Sequence, residues 1–316
     1  MKIVMLDGYT TDEGVLSWSE LEKLGEFVYY ERTPVDKVVE RAKDAEILIS
    51  NKVVLTKEVL SRLDKLKYIG LLSTGFNVVD LDYAKQRGIP VCNIPNYSTK
   101  SVAQLTIALM LEIAMGVGKH AQSVKSGEWA KSKDFCYTTQ SITELDGKTI
   151  GLIGYGAIAR EVAKIASALG MRVLAYKRTP SVSDGIANMV TLDELYSRSD
   201  VISMHCPMNS DSDKMIDEDA IAKMKDGVII LNTARGGVVD EVAIRKGLDS
   251  SKILGYGADV LSLEPPTNDN PLIGAPNCYI TPHIAWASRE AKSRLMSIAI
   301  DNVKSFLSGK VKNCVY

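Results

Sequence analysis

The sequence has few of the residues that build metal sites and disulfide frameworks. Its 316 residues include three histidines and five cysteines, with neither an H-E-x-x-H nor a C-x-x-C motif. We therefore expect no metal site of the zinc-enzyme type. An odd number of widely spaced cysteines is typical of reduced thiols in an intracellular protein, so the sequence predicts a cytoplasmic chain without disulfides.

Blocks of like charge and long apolar runs are also lacking. The chain has 38 Lys and Arg against 39 Asp and Glu, for a net charge of −1. This balance excludes the basic footprint of a nucleic-acid or membrane-surface protein. The longest apolar region, residues 102–117, contains Gln104 and Glu112 and is too short and polar for a membrane span. We expect neither nucleic acid nor membrane as a partner.

Short β-rich runs recur along the chain, each followed by a helical pattern, and the length suits about two domains. This alternation predicts an α/β fold of two doubly wound parallel-sheet domains. A long helix is expected from about residue 101 to 116, a polar irregular stretch at 119–147, and a last helix at 288–307. If that last helix returns to the first domain, the second domain is an insertion. The predicted strands are residues 3–6, 27–30, 47–50, 68–72, 91–94, 149–153, 172–176, 201–205, 228–232, 253–258 and 279–281.

A glycine motif follows the strand predicted at 149–153. Residues 154–159 read GYGAIA, which is G-x-G-x-x-A between a strand and a helix. Gly154 permits the tight turn, Gly156 lets backbone approach a pyrophosphate, and Ala159 permits close packing. Amides near Ala157 and Ile158 would face the phosphates. The motif predicts dinucleotide binding; the alternative is a turn whose glycines serve packing alone.

The next strand ends at Lys177 and Arg178, where an NAD site usually has an acidic residue for the ribose 2′-hydroxyl. Two cations would attract a 2′-phosphate instead. We therefore predict that NADP is preferred and that NAD remains possible. The alternative is that both side chains are solvated charges.

Three reactive residue types follow the later strands: Arg235, Glu264 and His283. Arginine can hold a carboxylate through two hydrogen bonds. Histidine can donate a proton to a carbonyl oxygen, and a neighbouring carboxylate raises its pKa and orients it. Each residue alone has an ordinary structural explanation. Together, beside a dinucleotide loop, they predict reduction of a 2-keto acid to a 2-hydroxy acid.

Several stretches resemble one family in order along nearly the whole chain. They are residues 71–77 (LLSTGFN), 96–103 (NYSTKSVA), 151–156 (GLIGYG), 205–207 (HCP), 232–237 (NTARGG), 258–260 (ADV), 264–265 (EP) and 281–287 (TPHIAWA). The chain resembles the D-isomer-specific 2-hydroxyacid dehydrogenases. It is most similar to their glycerate dehydrogenase (hydroxypyruvate reductase) branch.

The resemblance implies roles for the residues and domains. Arg235 would bind the substrate carboxylate, Glu264 would orient His283, and His283 would donate or accept the proton. A Rossmann coenzyme domain, residues 100–286, would be inserted in a flavodoxin-like substrate domain, residues 1–99 and 287–316, with substrate in the cleft between them. The implied substrate contacts are Asn51, Ser73, Thr74 and Gly75, and the further cofactor contacts are Cys206, Pro207, Thr233, Ala234 and Asp259.

The resemblance leaves the substrate open. Hydroxypyruvate or glyoxylate suits the branch, whereas D-lactate or another D-2-hydroxy acid would keep the same chemistry. A non-enzymatic, dinucleotide-sensing corepressor is a third hypothesis, which the retained Arg235, Glu264 and His283 disfavour. The stretch 119–147, with Trp129, Phe135 and Tyr137, resembles the family's dimerisation arm and predicts a homodimer; the alternative is that these rings pack on their own domain.

Overall fold

The computed structural model describes residues 1–11, 17–179 and 184–316. The chain divides into two units, the first built from Met1–Ser98 and Ala287–Tyr316 and the second from Thr99–Trp286. The second unit is thus an insertion in the sequence of the first.

The first unit contains a five-stranded sheet whose strands all pair in parallel. Its strands are β1 (Lys2–Met5), β2 (Glu26–Tyr29), β3 (Ile47–Ser50), β4 (Tyr68–Leu71) and β5 (Val91–Cys92). Their order, β2-β1-β3-β4-β5, is the flavodoxin-like order. The flavodoxin-like fold predicted for this part of the chain is confirmed.

Short helices connect these strands, and a long C-terminal helix completes the unit. The short helices are α1 (Ser19–Glu22), α2 (Val38–Ala42), α3 (Lys57–Leu60) and α4 (Leu81–Gln86). The C-terminal helix, Arg289–Leu307, begins at Ser288, whose hydroxyl accepts from the Ala291 amide. Its Phe306 ring lies 4.7 Å from the Tyr68 ring of β4, measured between centroids. The last helix therefore returns to the first sheet, as an inserted second domain requires.

The second unit contains a seven-stranded sheet, again with every pairing parallel. Its strands are β6 (Thr149–Ile153), β7 (Arg172–Tyr176), β8 (Ala187–Met189), β9 (Val201–Met204), β10 (Val228–Asn232), β11 (Ile253–Ala258) and β12 (Cys278–Ile280). The order β12-β11-β10-β9-β6-β7-β8 is that of a Rossmann sheet extended by one strand. The sequence did not predict β8, a three-residue edge strand.

Helices cover both faces of this sheet. They are α5 (Thr99–Met115), α6 (Val117–Lys125), α7 (Glu128–Lys131), α8 (Ala157–Ala168), α9 (Leu192–Arg198), α10 (Glu218–Lys223) and α11 (Glu241–Asp249). The prediction that residues 119–147 are irregular is partly wrong, because α6 and α7 lie in or overlap that stretch. Their helical pattern is hard to see, since Ser123 is the one buried residue in α6 and α7 has none.

Within the described ranges, no single helix is long and apolar enough to cross a bilayer, although α5 and α6 together, bent by 60°, meet the length and composition criteria.

Candidate active site

The glycine loop after β6 has the geometry that its sequence predicts. Gly154 adopts a φ of 89°, and a Cβ there would lie 2.7 Å from the Cys206 amide nitrogen and the His205 carbonyl carbon. Only glycine fits this close approach to the end of β9. A Cβ on Gly156, in contrast, would meet no atom within 4 Å. The loop therefore presents open space beside Gly156.

Helix α8 points its N-terminus into this loop. Gly156 precedes the helix without a side-chain cap, and the Arg160 amide donates to the Gly156 carbonyl. The amides of Ala157 and Ile158 precede that bond, so they lie where a helix offers free N–H groups to an anion. Ala159 is fully buried against the sheet. The loop fits a dinucleotide pyrophosphate.

A polar cluster that the sequence did not predict braces the same loop. The buried Tyr155 donates its hydroxyl hydrogen bond to Asp184 over 2.7 Å, and Arg160 pairs with the same carboxylate at 2.5 Å. The Tyr155 bond contributes most to holding the pKa of Asp184 below its ordinary value. Asp184 lies 28 residues after Gly156 and belongs to no recognisable motif, so only the fold reveals this cluster.

Both cations that were predicted to attract a 2′-phosphate follow the end of β7. Lys177 and Arg178 follow Tyr176 and are exposed. Arg178 is paired with Asp211, which follows β9, at 2.5 Å between Nη1 and Oδ2. This acidic partner was not predicted, and it offsets part of the positive charge near the expected 2′-phosphate position.

The end of β9 packs against the glycine loop. His205 donates its backbone amide to the Ile153 carbonyl, and its Nε2 lies 2.9 Å from the Ser203 hydroxyl. Burial lowers the pKa of the His205 imidazole to about 4, so the ring is neutral at pH 7. Burial also raises the pKa of the adjacent Cys206 thiol. Cys206 is partly buried and Pro207 is exposed. The residues after β9 therefore combine an apolar surface with the uncharged His205 ring.

Arg235 lies on a loop that a buried asparagine shapes. The Asn232 side chain donates to the Arg235 carbonyl at 2.9 Å and accepts from the Ala234 amide at 3.1 Å. The buried Thr233 hydroxyl lies 2.8 Å from Thr106 of α5. Arg235 itself is exposed and donates from Nη1 to the Ala234 carbonyl. In the described part of the chain no carboxylate forms an ion pair with it, so its guanidinium can receive an anion.

The Arg235 loop contacts the loop that carries Glu264. A Cβ on Gly236 would overlap the Leu261 carbonyl group, so the two backbones touch there. The Leu261 amide donates to Glu264 Oε1 at 3.0 Å, which fixes the carboxylate. The other oxygen, Oε2, lies 2.6 Å from His283 Nδ1. The structure thus brings the predicted Glu264 and His283 into one hydrogen-bonded pair.

Asp259 fixes the loop that carries His283. Its buried carboxylate accepts three hydrogen bonds from that loop: the Thr281 hydroxyl at 2.6 Å and the Ile284 and Ala285 amides at 2.8 Å each. The His283 amide donates to the Asp259 carbonyl at 2.9 Å. These bonds hold His283 at a φ of 53°, a backbone region that non-glycine residues rarely adopt.

The predicted substrate contacts Asn51, Ser73, Thr74 and Gly75 lie in the first unit. Asp7 after β1 accepts from the Asn51 amide at 2.8 Å and the Lys52 amide at 2.6 Å, a brace that the sequence did not reveal. Ser73 donates to the Gly75 carbonyl at 2.6 Å, and Thr74 donates to the Ile94 carbonyl at 2.8 Å. Both loops follow the carboxyl ends of strands, where ligands bind in open α/β sheets.

Several known proteins are similar to this chain. The family model described as "D-isomer specific 2-hydroxyacid dehydrogenase, NAD binding domain" matches residues 107–285. A hydroxypyruvate reductase of Blautia hydrogenotrophica is 48% identical over 100% of this chain and 99% of that protein. A glycerate dehydrogenase of Methylorubrum extorquens is 42% identical over 99% of this chain and 98% of that protein.

One of the similar solved structures contains a nicotinamide cofactor. It is an acyclic imino acid reductase in complex with NADPH and D-Arg. It has a TM-score of 0.89 and 31% sequence identity, over 100% of both chains.

Proposed function

The chain belongs to the family of D-isomer-specific 2-hydroxyacid dehydrogenases, and on that premise we propose that it reduces hydroxypyruvate to D-glycerate, with glyoxylate as a second substrate. Its second unit contains a nicotinamide dinucleotide-binding domain. The observation that carries the proposed chemistry is the 2.6 Å contact between His283 Nδ1 and Glu264 Oε2. The choice of substrate rests on the two relatives named hydroxypyruvate reductase and glycerate dehydrogenase.

His283 is the proton donor in this proposal. With Nδ1 bonded to the Glu264 carboxylate, Nε2 is left to hold the proton that passes to the keto oxygen. A nicotinamide held by the glycine loop would supply the hydride that the reduction needs. Glu264 stabilises the imidazolium before transfer and keeps the ring in one orientation. The proton from His283 completes the alcohol during reduction, and His283 accepts that proton during oxidation.

Arg235 binds the substrate carboxylate in the same proposal. Its exposed guanidinium has hydrogen-bond donors in a planar fork that matches a carboxylate. The backbone amides of Ser73–Gly75 and the Asn51 side chain are proposed as further contacts, as the family resemblance implies.

NADP is the proposed preferred cofactor, with NAD accepted less well. Gly154, Gly156, Ala157 and Ile158 would hold the pyrophosphate, and the exposed Lys177 and Arg178 would attract a 2′-phosphate. The preference rests on these two cations, because one similar solved structure is in complex with NADPH and another is in complex with NAD. Cys206, Pro207, Thr233, Ala234 and Asp259 are proposed to line the remainder of the cofactor site.

Turnover assays test the proposal directly. We expect catalytic efficiency for hydroxypyruvate at least about 10-fold above that for pyruvate, and higher with NADPH than with NADH. His283→Gln should retain cofactor binding and lose turnover by roughly 10²–10⁴-fold. Preference for pyruvate or a larger keto acid would replace the substrate and keep the mechanism. Cofactor binding without turnover of any keto acid would favour the non-enzymatic hypothesis.

We also propose a homodimer. The second unit exposes large apolar side chains on and beside α6 and α7, namely Met115, Val117, Val124, Trp129, Phe135 and Ile142. Phe135 is 88% exposed and Trp129 is 51% exposed, the latter with its indole donating to the Phe135 carbonyl. Tyr137 differs, because it bonds to Ser123 within its own unit. Six large exposed apolar side chains within residues 115–142 are more than scattered single positions would give, and we take this segment as the interface.

A further inference from the structure

The end of the chain adds a short antiparallel segment to the edge of the first sheet. Strand β5 is one of the two edge strands of this sheet. Its Cys92 forms an antiparallel bridge with Cys314. Two backbone hydrogen bonds frame the bridge, from the Asn93 amide to the Asn313 carbonyl at 3.1 Å and from the Val315 amide to the Val91 carbonyl at 3.0 Å. The two cysteines are therefore directly opposite each other across the strands.

This register determines how close the two side chains come. The framing bonds join the residues on either side of each cysteine, so Cys92 and Cys314 form a non-hydrogen-bonded pair. In such pairs the Cα atoms are about 4.5 Å apart and the side chains point to the same face. Disulfides span Cα separations of about 4.4–6.8 Å. The backbone therefore already holds both residues at a separation that a disulfide can bridge.

The two thiols have different environments. Cys92 is fully buried, whereas Cys314 is exposed. Burial raises the pKa of the Cys92 thiol to about 11; the Tyr68 hydroxyl of β4 opposes this shift and the facing Cys314 thiol adds to it. Tyr316 also lies near this pair, and burial raises its pKa. Cys314 is consequently the thiol that meets an oxidant first, and Cys92 is the partner that completes the bond.

We propose that Cys92 and Cys314 form a reversible disulfide that fastens the C-terminal segment to β5 when the protein meets a small disulfide oxidant. The Cys314 thiolate attacks the oxidant's S–S bond, forms a mixed disulfide and releases one small thiol. The Cys92 thiolate then attacks Cys314 Sγ and releases the second. Two protein thiols are oxidised, one small disulfide is reduced to two thiols, and the two protein protons pass to those thiols.

Existing contacts hold the segment in place for this reaction. The Tyr316 hydroxyl donates to the Ile89 carbonyl before β5. Asn313 donates to Asn302 of the C-terminal helix at 2.8 Å, and Asn302 donates to the Asn93 carbonyl at 3.0 Å. These bonds lie on both sides of the cysteine pair and hold the segment in register with β5.

Oxidised glutathione is the probe for the test. The full-length protein is incubated with it, remaining thiols are alkylated, and peptides are mapped by mass spectrometry. We expect one linked peptide pair, Cys92 with Cys314, about 2 Da lighter than the two reduced peptides and released by dithiothreitol. Hydrogen exchange of the peptide containing Val315 should be about 10-fold slower in the oxidised form.

Matched variants separate this site from general thiol oxidation. Cys314→Ser replaces an exposed side chain, so it should fold, form no linked pair and show no change in exchange. Cys136→Ser replaces another exposed cysteine and should leave the Cys92–Cys314 link unchanged. Glutathione that stays on Cys314 while Cys92 remains a free thiol would overturn the proposal. So would a disulfide to any other cysteine, or exchange that oxidation does not slow.

Discussion

At the scale of single residues, the position of His283 depends on two carboxylates with different tasks. Asp259 accepts from three donors of the loop and sets its path. Glu264 bonds the ring itself. The Asp259 carboxylate is buried and accepts three hydrogen bonds, whereas the Glu264 carboxylate is part-exposed. In the proposed mechanism Asp259 therefore fixes the path of the loop, and Glu264 orients the ring that carries the reacting proton.

Replacing Glu264 with Gln should slow keto-acid reduction. The amide keeps a hydrogen-bonding group beside His283 Nδ1 but removes the charge-assisted bond that orients the ring. We expect kcat/KM for hydroxypyruvate to fall by roughly 10- to 100-fold while cofactor binding is retained. Steady-state kinetics and cofactor titration are the measurements. Glu290→Gln, at an exposed position, is the control, and an unchanged kcat/KM in Glu264→Gln would contradict the proposed pairing.

Replacing Asp211 with Asn should increase the preference for NADPH. The change removes the carboxylate that pairs with Arg178 and frees that cation for a 2′-phosphate. Because the pair is exposed, we expect a change of roughly 3- to 10-fold in the ratio of kcat/KM for NADPH to that for NADH. Asp213→Asn makes the same charge change at a nearby exposed residue and should leave the ratio close to that of the wild type. An equal effect of both variants would indicate a general charge effect.

At the scale of elements, the strands that the sequence predicted best are the buried ones. Residues 47–50, 149–153, 172–176, 228–232 and 253–258 were predicted with the observed bounds. Four of these five strands consist mostly of apolar residues that are almost wholly buried. They are buried because both faces of a parallel sheet are covered. Strand β8 has three residues with one exposed, and it is defined by pairing with β7 rather than by its own composition. The sequence therefore predicts central strands and misses this edge.

In the candidate site, too, some residues were identified from the sequence and others were missed. The glycine loop, Arg235, Glu264 and His283 were predicted, because each follows a strand that the sequence defines. The residues that brace them, Asn232, Asp184 and Asp211, were not assigned to the site. Their partners come from other loops, and only the folded chain brings these loops together.

Replacing Asp259 with Asn should loosen the loop that carries His283. An amide presents one acceptor oxygen, so its NH₂ group would face a backbone N–H that now has no acceptor. We expect kcat to fall by about 10- to 100-fold and the free energy of unfolding to fall by about 1–3 kcal/mol. Steady-state kinetics and urea unfolding measure the two effects. Thr281→Val removes one of the three donors and should show a smaller loss; an equal or larger loss would mean that the loop is held differently.

Protonation of His205, which follows β9, should make the free energy of unfolding depend on pH. Burial lowers the pKa of its ring to about 4, against 6.5 for an unperturbed histidine. Between these values the unfolded chain binds a proton that the folded chain does not, so stability is full above pH 6.5 and falls as pH drops towards 4. The free energy of unfolding should fall by roughly 2–3 kcal/mol over this pH range.

Urea unfolding of the wild type and of His205→Gln at several pH values checks this expectation. The variant has no ring to protonate, so the difference in stability between the two proteins should shrink as pH falls. Carboxylates titrate in both proteins and cancel in this comparison. A difference that stays constant with pH would exclude His205 as the source.

At the scale of the whole molecule, the insertion of one unit in the other was only suggested by the sequence. Both units have similar alternating patterns, and nothing local in residues 289–307 states which sheet they join. The return is fixed by contacts distant in sequence, such as Phe306 on Tyr68 and the Arg294 guanidinium donating to the Tyr97 carbonyl at 2.8 Å. The resemblance to a known family supplied this arrangement where hydrophobic periodicity did not.

The proposed homodimer can be tested by mass in solution. Wild-type protein should have twice the mass of one chain by sedimentation or light scattering. Phe135→Asp introduces a charge at the most exposed ring of the α6–α7 region and should weaken association by roughly 10- to 100-fold. Val35→Asp is the control, because Val35 is 90% exposed in the first unit and lies outside that region. A monomeric wild type would exclude the dimer. A charge should disrupt association only where the side chain becomes buried in the dimer. Equal weakening of association in both variants would therefore mean that Phe135 lies outside the interface.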